Sequence, residues 1–335
     1  MISNVGSAFA NAPAELQEIV SSLGETEYAS LTDKGSPISN PVMCYYNAGD
    51  SKIDLATGLA YPAKANRARN NPQVGLLLGR SVHAYDRVAI AEFGKPEDRI
   101  DLEDSPVVAI AAMGAVRDSD LQANTDKYVD LFLAEHPKIG PQDWDAMKDL
   151  NHYWIRIWIE CTPVRAYWWP DGNLNERPPE LWEAPASATY PTSDPKPPGK
   201  PTPSAQWPSE PWQDRAPNVL KQFPRPILTS KTEDGFPLPI PTNSAKVTNT
   251  GFELDIPFHS LCPRMDSASL TFGIMATFTG ELDGNQFKVE RLIGDLPNIF
   301  QSEGDEVDAL NERQRADLKR RGQVIPAIRR GQYLK

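Results

Sequence analysis

Thr57, Lys64 and Arg67 fall within one short stretch, Thr57-Gly58-Leu59-Ala60-Tyr61-Pro62-Ala63-Lys64-Ala65-Asn66-Arg67, and together they could hold an anion. Pro62 suits a helix start, because its fixed φ is helical and its missing N–H would have no partner there, and Asn71-Pro72 is a stop. Lys64 then lies in the first turn of a short helix, with Arg67 three residues on along the same side. Two cations beside the positive end of a helix dipole repel both it and each other. A bound anion reverses that sign: the free N–H groups of the helix start, a Lys, an Arg and the Thr57 hydroxyl make a phosphate seat. The same residues also read as a short, solvated basic helix, and on spacing alone the two readings weigh equally.

Both sides of this stretch are strands. Before it, Ile53, Leu55 and Thr57 alternate with Asp54 and Ala56, the period-2 pattern of a half-buried strand whose end presents a hydroxyl; after it comes Val74-Gly75-Leu76-Leu77-Leu78. Upstream, Tyr28-Ala-Ser-Leu-Thr and Ile38-Ser-Asn-Pro-Val-Met-Cys-Tyr-Tyr flank an Asp33-Lys34-Gly35 turn and predict a hairpin. A second turn at Asn47 leads into the Ile53 strand, so the strands meander as in a barrel. Pro41 would break a central ladder position, which predicts an edge or a bulge there. An amphipathic helix with Leu16, Ile19, Val20 and Leu23 precedes them. Downstream, Arg80 to Asp104 reads as a polar excursion and Pro106 to Arg117 as an apolar strand bending at Gly114. A helix from Ser119 to about Glu135 and strands from Asn151 to Trp169 complete the pattern. In that last run Ile155, Ile157 and Ile159 alternate with Trp154, Arg156 and Trp158. Large groups on both sides predict that the Trp–Arg–Trp side is buried against a partner.

The 335-residue chain is long enough for two cored domains. A net charge of -11 argues against nucleic-acid or anionic-membrane partners, which need a basic surface. With no long apolar run and no charged-then-apolar leader, the expectation is a cytoplasmic protein. Cys44, Cys161 and Cys262 are distant and odd in number, so free thiols are expected rather than disulfides. His83, His136, His152 and His259 show no metal-ligand spacing, so no metal site is expected. Residues 170 to 226 are Pro-rich but carry Trp182, Trp207 and Trp212, the mark of an extended connection anchored on the protein surface. From residue 227 the strand-and-turn pattern of the first half returns as a diverged repeat without a counterpart of the Lys64 helix, where Phe258 to Asp266 stands instead with Arg264 as its cation. The domain reading is therefore 1–169, a 170–226 linker, and 227–335. A basic helix from Asn311 reads as a solvated or dimer-packing element.

The segments Ala29 to Met43, Ile53 to Gly58 and Lys64 to Leu78 resemble the pyridoxamine 5'-phosphate oxidase-like family of FMN-binding split β-barrels, over roughly residues 27 to 168. The resemblance implies a mainly β protein of tandem split β-barrels with flanking helices, the first binding FMN and the second degenerate. It implies that Asn40, Pro41, Val42, Met43 and Cys44 line the flavin ring and that Ala56, Thr57 and Gly58 touch it. The phosphate then falls to Ala63 and Lys64. Many members place an Arg where Ala63 stands, and Arg67, one turn on, takes its place; a flavin-contacting Gln of some members is replaced by Ala109 or a neighbour. The substrate-binding Arg and His of the true pyridoxamine phosphate oxidases have no match, so pyridoxal phosphate synthesis is not expected. Family members are usually homodimers with flavin near the subunit interface, which would explain the two-sided Trp154 to Trp158 strand.

These expectations combine into an FMN-dependent oxidoreductase acting on a small organic substrate, with no residue named as catalytic acid or base. Tyr45, Tyr61 and His152 flank the expected pocket, but packing aromatics and a satisfied histidine are the plainer reading. The alternatives are a flavin- or haem-binding protein without turnover, or an F420-dependent reductase whose wider basic groove would draw on Arg69 and Arg80.

Overall fold

The structure is a computed structural model describing residues 8–22, 25–79, 106–135, 144–145, 148, 151–200, 211–257, 261, 265–273, 276–293 and 304–332. Arg80, His83, His136, Trp207, His259, Cys262, Arg264, the 80–104 excursion and most of the segment replacing the Lys64 helix lie outside them.

The first half opens with helix α1 (Ala14–Ser22), whose Leu16, Ile19 and Val20 are buried, and hairpin β1 (Glu25–Leu31) and β2 (Pro37–Asn47). Strand β3 (Lys52–Gly58), helix α2 (Ala63–Asn70) and strand β4 (Gln73–Gly79) follow, then β5 (Val107–Arg117). Helix α3 (Leu121–Glu135) and a single turn α4 (Asn151–Trp154) lead to the long β6 (Arg156–Trp169). The strand order is β3-β2-β1-β4-β5-β6-β7, and β3 also pairs with β6, from Ile53↔Cys161 to Gly58↔Arg156, closing a six-stranded barrel. Alternation then sorts the side chains. Tyr28, Val42, Cys44, Leu55, Val74, Leu76, Ile110, Ile157 and Ile159 fill the barrel, while Glu27, Ser39, Pro41, Met43, Asp54, Leu77 and Trp158 alternate with them and face outward.

Two expectations change here, and a third, the local edge at Pro41, holds. Asn151–Trp154 is helical rather than extended, with Ile155 N–H donating to the Asn151 carbonyl at 3.1 Å; its large apolar residues fit either period. The outward side of β6 meets this chain's own α3: the Trp158 indole donates to the Asn124 carbonyl at 3.0 Å. Pro41 sits beyond the β2–β3 ladder, which starts at Cys44↔Leu55, so its missing N–H costs β3 no bond.

Part of the Pro-rich segment runs along the first barrel. Strand β7 (Glu180–Glu183) pairs with β6, Trp182 packs edge-on against Phe9 at 5.2 Å, and the Asp194 carboxylate accepts the Asp118 and Ser119 N–H groups at 2.8 and 2.9 Å. Helix α5 (Trp212–Gln222) then packs on the second half.

That half contains β8 (Ile227–Lys231), β9 (Pro237–Pro241), β10 (Ser244–Val247), β11 (Gly251–Asp255), β12 (Met265–Phe272), β13 (Ala276–Asp283) and β14 (Gln286–Leu292). They form one curled sheet, ordered β10-β11-β14-β13-β12-β8-β9, around Leu228, Leu270, Phe252, Phe272, Phe278 and Phe287. The fold is thus mainly β: two split-barrel-like units, the first closed. The basic helix α6 (Gly304–Arg321) is neither solvated throughout nor part of the second sheet. It returns to the first barrel, where Leu318 joins the core and Arg321 pairs with Asp118 at 2.7 Å.

Candidate functional site

Helix α2 caps one end of the closed barrel, with Ala65 and Ala68 buried in its core. Pro62, expected as the first helical residue, is the N-cap instead, with φ -76° and no side-chain capping bond, so the helix starts one position later, at Ala63. Lys64 is the second helical residue and is half-buried. Among the described residues its ammonium has no hydrogen bond and no ion pair. Burial, then the Arg67 and Arg156 guanidiniums, push it down to about 8, with Glu27 pulling the other way. A half-buried ammonium near two further cations is a place where a bound anion would be stabilised.

The neighbouring cations are held in place. Arg67 donates from Nε to the Ser30 hydroxyl on β1 at 2.8 Å. Arg156, at the start of β6, lies 4.2 Å over the Tyr128 ring and 4.7 Å from the Tyr153 ring, and donates to the Tyr128 hydroxyl at 3.1 Å. Such stacking holds a guanidinium without neutralising it. Gly58 lies beside it: a Cβ there would touch the Arg156 guanidinium at 3.4 Å and the His152 carbonyl at 3.6 Å, both ordinary contacts. Burial lowers the His152 imidazole below its ordinary value; the Asn311 amide on α6 opposes this and Arg156 adds to it.

Glu27 was not anticipated. Its carboxyl is fully buried on the outward side of β1, and neither oxygen has a hydrogen-bond partner. The nearby Ser39 hydroxyl is instead paired with Thr271 of the second half at 2.9 Å. Burial pushes Glu27 up to about 8, against smaller pulls from Ser39 and the Lys64 ammonium. At pH 7 it is therefore mostly a neutral acid, and an anion reaching Lys64 meets no opposing carboxylate. The sequence reading does not single out Glu27, which lies on a strand that the second half packs against through β9.

The expected cofactor residues divide between two sides of one sheet. Val42 and Cys44 are buried in the barrel core and can offer a ligand only backbone, whereas Met43 and Ala56 pack outward on the aromatic cluster around Tyr45, Tyr128 and Trp158. Asn40 is half-buried and Pro41 buried. Thr57 donates to the Tyr61 carbonyl at 3.2 Å, which turns its hydroxyl toward the loop entering α2. Ala63 opens that helix beside Lys64. Arg69 is not a groove cation: it is nearly buried and bonded to Asp118 at 2.7 Å. The residues present therefore fit the phosphate end of a flavin nucleotide through Lys64, Arg67 and the uncapped start of α2. A flavin held there would supply the redox chemistry, and these residues would anchor and orient it.

Cys44 and Cys161 are free thiols, no group of His, Cys, Asp and Glu among the described residues could hold a metal ion, and none of their helices is long and apolar enough to cross a membrane. No family model matches the chain, and no curated protein matches it. Among solved structures, it is similar to conserved hypothetical protein Rv2991 of Mycobacterium tuberculosis, with 16% identity over 48% of this chain and 85% of that one, TM-score 0.34. A Clostridium acetobutylicum protein related to general stress protein 26, of the pyridoxinephosphate oxidase family, is 12% identical over 50% of this chain and 92% of its own, TM-score 0.31. An FAD-binding protein from Mesorhizobium loti is 11% identical over 47% and 93%, TM-score 0.27. These likenesses cover about half of this chain and carry no argument at such TM-scores; the barrel is displayed directly by the closed strand order of the first half.

Proposed function

We propose that the chain is a flavin-dependent oxidoreductase that seats the phosphate of FMN at Lys64 and Arg67 and acts on a small organic substrate. The observation that carries this is Lys64: a half-buried ammonium without a counter-ion among the described residues, beside two fixed guanidiniums, at an uncapped helix start.

The absorption spectrum of the purified protein comes first. Flavin bands, or FMN binding on titration, are expected; a Soret band would favour the haem alternative, and the absence of any chromophore with no FMN uptake would end the flavin reading. Lys64→Ala should weaken FMN binding by about 1.5–3 kcal/mol, the scale of a hydrogen bond to a charged group, while circular dichroism stays that of the parent. Unchanged affinity would remove Lys64 from the site. Anaerobic reduction of the bound flavin by candidate donors then identifies the substrate class.

A further inference from the structure

The second half repeats the first closely enough to reveal how the two are joined. Hairpin β1–β2 turns at Thr32-Asp33-Lys34-Gly35-Ser36, and hairpin β8–β9 turns two hundred positions later at Thr232-Glu233-Asp234-Gly235-Phe236. Both turns make the same bonds. Thr32 and Thr232 N–H donate to the Ser36 and Phe236 carbonyls at 2.9 and 2.8 Å, and Gly35 and Gly235 N–H return to the two Thr carbonyls at 2.8 and 2.9 Å. Each threonine hydroxyl accepts the N–H four residues on at 3.0 Å, and both glycines have positive φ, 75° and 90°. The registers agree as well, with Leu31↔Pro37 matching Lys231↔Pro237 and Glu27↔Pro41 matching Ile227↔Pro241.

With β8 standing for β1, β9 and β10 for the two ends of β2, β11 for β3, and β12, β13 and β14 for β4, β5 and β6, the second sheet has the strand order of the first. The packing between the halves is then reciprocal. Strand β4 lies on β9, and β2 on β12; β1 lies on β9, and β2 on β8; β5 lies on β9, and β2 on β13. Among the described residues, each of these extensive contacts between strand m of one half and strand n of the other has its counterpart between n and m. That is the rule of a twofold, isologous interface, in which one surface meets a copy of itself. The approach is close: a Cβ on Gly75 would stand 1.8 Å from the Pro237 carbonyl oxygen, and the Ser39 and Thr271 hydroxyls meet at 2.9 Å in the buried seam.

We propose that this chain is an internal pseudo-dimer: its second half occupies the surface on which a second copy of the first half would dock, so the working unit is one chain. The homodimer implied by the family resemblance is thereby replaced by an interface made in cis. This inference does not depend on which ligand Lys64 binds.

The test is the full-length chain with Ser39→Cys and Thr271→Cys in a Cys262→Ser background, oxidised mildly and run without reductant. The expected result is one intrachain disulfide joining the peptides that carry residues 39 and 271, in a species of single-chain mass. Covalent dimers would mean that the halves are exchanged between chains, and two free thiols would mean that the seam does not form; either overturns the proposal. Sedimentation of the unmodified protein across the micromolar range needs no variant to fold. A single-chain mass supports the inference, and a stable dimer overturns it.

Discussion

The buried Glu27 and the half-buried Lys64 have no hydrogen-bond or ion-pair partner among the described residues, so each links stability to pH, in opposite senses. The Glu27 carboxyl rises from 4.5 to about 8, so between those values the folded chain holds a proton that the unfolded chain has released, and stability falls as pH rises. The Lys64 ammonium drops from 10.5 to about 8, so above pH 8 the unfolded chain holds the extra proton and stability recovers toward pH 10.5. Together they place a shallow minimum near pH 8. Glu27→Gln should flatten the acid side of a plot of thermal midpoint against pH and leave the alkaline side standing; an acid side that keeps its slope would remove Glu27 from this account. Lys64 stands out in the sequence because a cation in a first turn is a local anomaly. Glu27 does not, since part of what packs on its strand is encoded far along the chain.

At the scale of elements, α6 is fastened by a buried charge cluster. Asp118 accepts from Arg69 and from Arg321, each at 2.7 Å, and all three side chains are less than a tenth exposed. Removing the carboxylate would leave Arg69 buried without its ion-pair partner and Arg321 with Asp317 alone, so Asp118→Ala should lower the free energy of unfolding in denaturant by about 3–5 kcal/mol. The half-exposed Glu183, paired with Arg165 at 2.7 Å, supplies the contrast: Glu183→Ala should cost under about 1 kcal/mol. Equal losses would mean that burial is not what sets the strength. The strands β1 to β6, the Asp33 hairpin and α3 were legible because each follows one period over many residues. The turn at Asn151–Trp154 was misread because four residues of mixed large side chains satisfy either period. The return of α6 was not legible, because Leu318 marks an apolar side without naming what it covers.

For the whole molecule, the seam between the halves is a backbone-to-backbone fit. Gly75→Ala drives a methyl group onto the Pro237 carbonyl, which belongs to the main chain and cannot swing aside. It should cost about 1–3 kcal/mol or more, the scale of overpacking, and calorimetry should show a lower unfolding temperature; an unchanged midpoint would mean that the halves sit further apart. Strand β9 also ends the second sheet safely: Pro237, Pro239 and Pro241 remove the N–H donors from one side of that edge, so no further strand can pair there in register. The sequence showed the repeat, through turns and strand fragments in the same order. It did not show that the two copies face each other, since interfaces leave only scattered traces such as Gly75 and Ser39.

The fastening of α6 also bears on the order of events during synthesis. The strands that close the first barrel are complete once Trp169 has been made, yet Leu318 fills part of that barrel's core and Arg321 neutralises its buried Asp118. A nascent chain lacking these residues therefore carries a closed sheet with an unfilled apolar gap and a buried Asp118 held by Arg69 alone for the whole time the second half is being translated. Contacts this distant in sequence form slowly, so this interval is when the first half is most exposed to chaperones and to misassociation.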